Sequence, residues 1–560
     1  MRGPFFIPFP KGAHRIMRFL KDAGPILLSA GLLTLAFPAP DLHFLAWIAL
    51  VPLFVRIRDA GPWRALLLSL ATGYLFYTAH LWWSLRLVGM NPFNFALGNL
   101  GNAWYFGAFG LAAWYFQKTW PRWIPLTYPS AWVALEYARS HIGFLSAPWG
   151  MLGYSQYSVL PVAGISAYAG VYGVSFLLVA ANAALSDLVP HHLYSHHGKG
   201  DTDEIPRGER RVSIGILALV LVSLSASFLS GALPQKKSEA NQGLKVSLVQ
   251  GNMSYEEQSE PFRAYREKAF EKYRRLTIDS SGSGPDLVVW PSSSVPGRLP
   301  SDGTLRQMLA DIAGETGAYF LIGTAGFDKF NEEQRRLQRV ANSAFLFSPQ
   351  GEIVGRYDKM RLLPFDEYLP LREYLAWPSW IATPGMTDHL PGREMTIFRM
   401  DKARFGVLIC WENLFPDQFR EMSSRGVDFM VSMTNEGFTL IPEAHYQLLA
   451  IYRFRAIENR VSIVRTDTKG VSCIIDPDGR IIARVQDQRG NDVNVEGYLV
   501  GEVPLSSSRT FYTRHGDRFV FLLFLLLAGF VVAGERIRWA NRKEEKNGES
   551  IARNRSLSRG

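Results

Sequence analysis

Long apolar runs gather toward the two ends of the chain, and short spaced ones fill the stretch between. Eight runs are long and poor in charge, near 24–39, 43–57, 65–84, 97–117, 123–138, 161–187, 212–232 and 517–534. A bilayer core about 30 Å thick needs roughly 20 mostly apolar residues per helix, so the pattern predicts a polytopic α-helical membrane bundle of about eight spans. The strongest are 212–232 and 517–534; the second and fifth are short or interrupted, as in tilted or re-entrant segments. The first run follows a basic segment but ends in AFPAPD, where prolines suit a cleavage site poorly, so it reads as an uncleaved helix.

Between 234 and 515 the pattern shortens. Strand-like runs (LKVSLVQGN, PDLVVWPS, AYFLIGTAG, SAFLFSPQGEIVGRYDK, ARFGVLICWE, VDFMVSMTN, VSIVRTDTKG and SCIIDPDGRIIARV) alternate with helical patterns such as EPFRAYREKAFEKYRRLTID, TLRQMLADIAGETG and HYQLLAIYRFRAIENR. Alternating strands and helices predict an α/β domain, and about 280 residues bury a sizeable core. The PQG and DPDG turns between strand pairs predict antiparallel hairpins within it. The expected division is 1–233 for seven transmembrane helices, 234–515 for the α/β domain, and 516–560 for a last transmembrane helix with a basic tail.

Composition sharpens this in two ways. Apolar residues make up 48% of the 560 and charged residues only 20%, which excludes a disordered chain. Two cysteines, Cys410 and Cys473, exclude a disulfide-stapled scaffold; whether the two pair is not set by the sequence. The net charge of +10 suggests nucleic acid until its position is read. Arg2, Lys11, Arg15, Arg18 and Lys21 precede the first run, and PAPDLH after it has no Lys or Arg. Arg56, Arg58 and Arg64 follow the second, MNPFNF is nearly uncharged, and Lys118 and Arg122 follow the fourth. Arg207, Arg210 and Arg211 precede the seventh, and the tail carries eight Lys/Arg. Basic and non-basic loops alternate, so the charge orients the spans: both termini are cytoplasmic and 234–515 lies on the far side. Nucleic acid is not expected as a partner.

No GxGxxG, P-loop or zinc-type spacing occurs, and no cofactor or metal is expected. His191, His192, His196 and His197 read as solvated loop residues. Cys410 ends the apolar strand FGVLIC, where side chains of α/β domains commonly point into a site. Cys473 in VSCIID reads as a core strand residue. Lys359 in YDKMRLLPF follows a strand, and a cation there would stabilise a thiolate and an oxyanion. Glu367 reads as support for that lysine. Glu412, two residues after Cys410, reads as an orienting group or a base if the strand continues.

CWEN after an apolar strand, the lysine of YDKMRLLPF and a strand followed by WP resemble the nitrilase superfamily, with its Glu–Lys–Cys triad on an α-β-β-α sandwich. Eight spans around such a domain resemble the apolipoprotein N-acyltransferase family. So do APWGMLGYSQ at 147–156, GVYGVSFLLVAAN at 170–182, LVQGN at 248–252, PFDEYLPLRE at 364–373 and RFRAIENR at 453–460. The resemblance implies Cys410 as nucleophile, Lys359 as stabiliser of thiolate and oxyanion, Glu367 as auxiliary acid and Glu412 as part of the pocket. It makes the backbone N–H of Trp411 an oxyanion donor. It also implies transfer of an acyl chain from a membrane phospholipid, through a Cys thioester, to the N-terminal amine of an S-diacylglyceryl cysteine in an apolipoprotein. The setting implied is the bacterial inner membrane, with the catalytic domain on the periplasmic face. A monomer is expected, since one chain supplies both membrane bundle and site. In the segment 367–385, Trp377 and Trp380 suggest either a loop at the bilayer surface, an interface that tryptophan favours, or core packing of the large domain.

One position departs. The resemblance places a glutamate base directly after WP, and here Ser292 follows Trp290 and Pro291. Serine accepts no proton at neutral pH. Either Glu367 or Glu412 replaces the base, or Lys359 lowers the thiol pKa enough that a base matters less in acylation, or the chain is an impaired relative that binds lipoprotein and lipid. A membrane-tethered amidase is a third reading, and Pro148–Trp149 and Gly153–Tyr154 in the bundle argue against a mere tether.

Overall fold

The computed structural model describes residues 11–87, 90–190, 207–232, 243–253, 257, 261–327, 340–381, 388–437, 441–506 and 508–557. The four loop histidines at 191–197 and most of the segment leading into the α/β domain lie outside them. The first seven apolar runs fold as helix. They form α1 (Lys11–Leu35), a 3₁₀ turn (His43–Trp47) leading to α2 (Val51–Ile57), α3 (Pro62–His80), α4 (Pro92–Thr119) and α5 (Ile124–His141). The short α6 (Leu160–Ala163), α7 (Ser166–Leu188) and α8 (Arg207–Ala232) follow. Proline occupies the first turn of α2, α3, α4 and α5, where its missing N–H costs nothing. Asn91 caps α4, its Oδ1 accepting from Asn94 N at 2.9 Å. α3 and α4 approach closely at Gly110, where a Cβ would lie 2.7 Å from Ser69 Oγ.

The α/β domain is two sheets. Its strands are β1 (Leu244–Gln250), β2 (Leu287–Val289), β3 (Arg298–Pro300), β4 (Tyr319–Phe327), β5 (Ala341–Phe347) and β6 (Ile353–Asp358) in one sheet. β7 (Ile397–Arg399), β8 (Arg404–Ile409), β9 (Phe429–Met433), β10 (Ser462–Thr466), β11 (Cys473–Ile475) and β12 (Ile481–Arg484) form the other. β13 (Gly497–Val503) returns to pair antiparallel with β1. Each sheet has a parallel centre, β1-β2-β4 and β8-β9-β10, and the hairpins expected at PQG and DPDG are antiparallel.

Period-two alternation assigns the faces. Leu248, Leu287, Val289 and Leu321 pack between the sheets with Val407, Val431 and Ile463. Val249, Val288, Phe320 and Phe345 face outward into a second core with Tyr273 and Leu309. Those two residues belong to α9 (Phe262–Ser281) and α10 (Gly303–Thr316). On the opposite side lie α11 (Pro416–Ser424) and α12 (Pro442–Asn459), which completes an α-β-β-α sandwich.

α12 also joins the domain to the bundle. Gln447 Oε1 accepts from Trp83 Nε1 at 3.1 Å and Trp149 Nε1 at 3.0 Å. Arg455 Nη2 donates to Tyr154 Oη at 2.9 Å, and Val171 N donates to Glu458 Oε1 at 2.8 Å. The bend in α7 beside this joint needs Gly170, at φ +64°, where a Cβ would meet the Tyr512 ring at 2.8 Å. Trp149 and Tyr154 are thus parts of a buried joint between bundle and domain. After the short α13 (Phe511–His515), α14 (Arg518–Leu557) begins as the last apolar run. It continues as one helix through the basic stretch read as a tail, with Arg538 and Glu535 paired one turn apart at 3.0 Å. Ser166–Leu188, Arg210–Leu229 and Arg518–Ala540 are long and apolar enough to cross a membrane. The second run is shortened because its helix breaks between Trp47 and Val51.

Candidate active site

The site forms where strands end. Ser292 follows β2, Lys359 follows β6 and Cys410 follows β8. At two of these points the chain turns through left-handed backbone, with φ +53° at Ser293 and +52° at Cys410. A non-glycine residue there costs about 1–2 kcal/mol, which the surrounding packing must offset. Asn413 steadies the turn by donating from Nδ2 to the carbonyls of Leu408 at 3.3 Å and Cys410 at 3.2 Å. Cys410 begins a 3₁₀ turn, Cys410–Leu414, so the β-strand expected to continue toward Glu412 ends at Ile409.

Lys359 is buried, and its Nζ lies 2.7 Å from Glu367 Oε2. Glu367 also accepts from Leu363 N at 2.7 Å and from Asn342 Nδ2 at 3.2 Å. Its other neighbour, His389 Nδ1, stands 3.8 Å from Oε1. Burial alone would raise the Glu367 carboxyl, but the His389 imidazole and the Lys359 ammonium hold it down at about 2. Burial would likewise depress Lys359; the Cys410 sulfur and the carboxylates around it carry the ammonium above its ordinary value. Lys359 therefore stays charged.

Cys410 is half-buried and free, and Cys473 is a buried free thiol on β11. Burial pushes the Cys410 thiol up to about 11. Lys359 pulls it down, while Glu367, Glu436 and Asp467 push it further up. The cation does not outweigh burial, so the Cys410 sulfur rests as a thiol. That makes Ser292 decisive. It is buried, and its Oγ donates to Asn342 Oδ1 at 3.3 Å. Asn342, whose carbonyl also accepts from Lys359 N at 2.8 Å, links Ser292 to Glu367 and so to Lys359.

Glu412 is fully buried. Its two oxygens accept from Tyr357 Oη, Met360 N, Arg361 N, Ile409 N and Gln418 Nε2, at 2.7–3.0 Å. It ties the loop after Lys359 to the turn at Cys410, because its side chain folds back under the strand end. Five donors around a fully buried carboxylate leave no lone pair for a substrate proton. Glu412→Gln is expected to lower unfolding stability by about 3 kcal/mol, a buried charge-assisted set being lost. The pH profile of the residual activity should keep its shape; a stable variant with an altered profile would make Glu412 a base after all.

Two features of the site carried only a faint signal along the chain. Asn342 is one; the polar Asn–Ser step opening an otherwise apolar strand was its only signal. The other is a buried group beyond Cys410, in which Glu436 accepts from Arg465 and contacts His445, and Arg465 reaches Asp467 at 3.3 Å. Its signal was Glu436 in VSMTNEG, a charge just past a strand end, as Glu412 is. In the 367–385 segment, Trp377 Nε1 donates to Pro370 O at 2.6 Å, and Trp380 is exposed with its ring 5.0 Å from that of Phe93 on α4.

Two face-packed sheets with a cysteine and a buried lysine just past strand ends, and a glutamate on the loop after the lysine, define a nitrilase-type domain. Residues 245–511 match the carbon-nitrogen hydrolase family, and residues 29–184 match the apolipoprotein N-acyltransferase N-terminal domain. The apolipoprotein N-acyltransferase of Geobacter metallireducens is 33% identical over 506 residues, 88% of this chain and 92% of that protein. Apolipoprotein N-acyltransferase 2 of Treponema denticola is 26% identical over 91% of this chain and 97% of its own length. Apolipoprotein N-acyltransferase 1 of Treponema pallidum is 29% identical over 90% and 95%. Among solved structures, an amidase from Nesterenkonia sp. aligns with 50% of this chain and 96% of its own at 15% identity, with a TM-score of 0.36. The chain belongs to the apolipoprotein N-acyltransferase family.

Proposed function

We propose that this chain moves a fatty acyl group from a membrane phospholipid to the α-amine of an S-diacylglyceryl cysteine at the start of an apolipoprotein. The sulfur of Cys410 attacks the phospholipid ester carbonyl, and the proton it gives up is the one the departing glycerol oxygen takes in the next step. Lys359 and the backbone N–H of Trp411 stabilise the oxyanion; in the first turn of a helix, such an N–H lacks an intrahelical partner. The C–O bond to glycerol breaks, the alkoxide takes a proton, and a lysophospholipid leaves behind a thioester. The acceptor amine then attacks the thioester, the C–S bond breaks and the thiol re-forms. A covalent relay of this kind splits one hard step into two easier ones.

The observation that carries the reading is the Lys359–Glu367 pair, 2.7 Å apart and buried beside a cysteine on a strained turn. Eight helical spans hold the site, with both termini cytoplasmic and the 234–515 domain on the periplasmic face of the inner membrane. The second reading, an impaired relative that binds lipid and lipoprotein, draws its support from Ser292 and the thiol at about 11. Mass spectrometry separates the two. After incubation with phospholipid, the intact protein should gain one acyl mass on Cys410, and Cys410→Ala should gain none. Retained lipoprotein binding without any adduct would replace the first reading with the second.

A further inference from the structure

A cavity of about 210 Å³ opens between the end of α5 and the two loops that carry the site. His141 and Phe144 line one side, and Arg361, Tyr368, Trp411 and Phe415 line the other. Trp411 directly follows Cys410, and Arg361 lies two residues after Lys359, so the cavity is lined by the two loops that carry those residues, with Cys410 and Lys359 themselves outside its lining. At ~30 Å³ per water it holds about seven, the scale of a polar headgroup rather than of a full acyl chain.

Its chemistry is mixed. The Arg361 guanidinium is fixed from two sides: Nη1 and Nη2 donate to Asp417 at 3.1 and 2.9 Å, and Cζ lies 4.0 Å over the Phe415 ring. Two of the five N–H donors of an arginine are thereby used. A guanidinium held in one orientation matches a phosphate, and the aromatic walls match the carbon skeleton around it. His141 adds an imidazole, stacked on Tyr137 with centroids 4.0 Å apart. The exposed Ile142 and Leu145 on the adjoining loop add an apolar rim beside it.

We infer that this cavity binds the phosphodiester headgroup of the acyl-donor phospholipid, with Arg361 on the phosphate, and so sets the ester over Cys410. The inference rests on the acyl-transfer reading for its orientation, but not for its binding chemistry. Arg361 is a binding residue here and takes no part in bond making.

The test uses full-length protein in detergent micelles and three donors with the same chains: phosphatidylethanolamine, phosphatidylglycerol and a diacylglycerol that lacks phosphate. Cys410 acylation is timed by intact-protein mass spectrometry, and lipid retention is read by native mass spectrometry. The unmodified chain should favour both phospholipids over the diacylglycerol. Arg361→Gln should slow acylation by the phospholipids about 10–100-fold at sub-saturating lipid and leave the diacylglycerol rate unchanged, the loss typical of a charged hydrogen-bond set. Arg361→Lys should recover part of the preference, which guards against simple misfolding. Free glycerophosphate should compete only weakly, since the lipid is the source of the phosphate. An equal loss with all three donors, or no change, overturns the headgroup site. Arg361-dependent retention of phospholipid without any adduct upholds the site and overturns the transfer reading. Absence of both overturns both.

Discussion

Ser292→Glu is expected to raise the rate of Cys410 acylation about 10²–10⁴-fold, the range a positioned general base supplies. With its thiol at about 11, only about one molecule in 10⁴ carries a thiolate at pH 7. A carboxylate at position 292 removes that deficit by taking the proton during attack. The surroundings can hold it: Ser292 is buried beside Asn342, which already hydrogen-bonds a carboxylate in Glu367. The pH profile gives an independent readout. Thiolate is the reactive form, so below the thiol pKa the rate of the unmodified chain should climb tenfold per pH unit, from pH 7 toward 10. The Ser292→Glu protein should level off at lower pH, because its base is already ionised. Equal rates and parallel profiles would mean that another group already accepts the proton. Glu412 is saturated and Glu367 is locked in its ion pair at about 2, so neither is expected to do so.

Much of this was legible along the chain, and for identifiable reasons. Parallel strands buried on both faces read as unbroken apolar runs, so FGVLIC and VDFMVSM announced β8 and β9. The turn chemistry of PQG and DPDG fixed two hairpins. β13 was not anticipated: GYLVGEV carries two glycines and an acid, and its pairing partner β1 lies some 250 residues away. α14 was cut short because hydropathy stops at Gly534, whereas the helix continues through Leu557, with Arg538 paired to Glu535 on its surface. At the site, Cys410, Lys359 and Glu367 each sat beside an apolar strand or a proline-marked loop. Glu412 was misplaced by an assumption of extended backbone, since two residues after a strand's last position the chain had already turned through φ +52°. The thiol's height could not be read locally. It comes first from burial, and then from Glu367, Glu436 and Asp467, which arrive from elsewhere in the chain.

Lys359→Met separates what the buried pair does for the fold from what it does for chemistry. Activity should fall about 10³-fold or more, because the thiolate loses its only favourable charge neighbour named above and the oxyanion loses a donor. Stability should fall as well. Glu367 is lowered from its ordinary 4.5 to about 2, so in the folded chain it favours the charged form. That contribution, about 3 kcal/mol, is fully present above pH 4.5 and fades as pH drops from about 4.5 through about 2. Removing the ammonium strands the carboxylate in a buried site, where it retains only Asn342, Leu363 N and the more distant His389. Glu367→Gln strands the ammonium instead. The double variant Lys359→Met with Glu367→Gln replaces the pair by neutral groups of similar size. Its loss of unfolding free energy should be well below the sum of the two single losses, a coupling of several kcal/mol typical of a broken buried pair. Its activity should stay as low as that of Lys359→Met. A double variant that regained activity together with stability would show that the lysine acts only through the fold, and the thioester chemistry would then need a different cation.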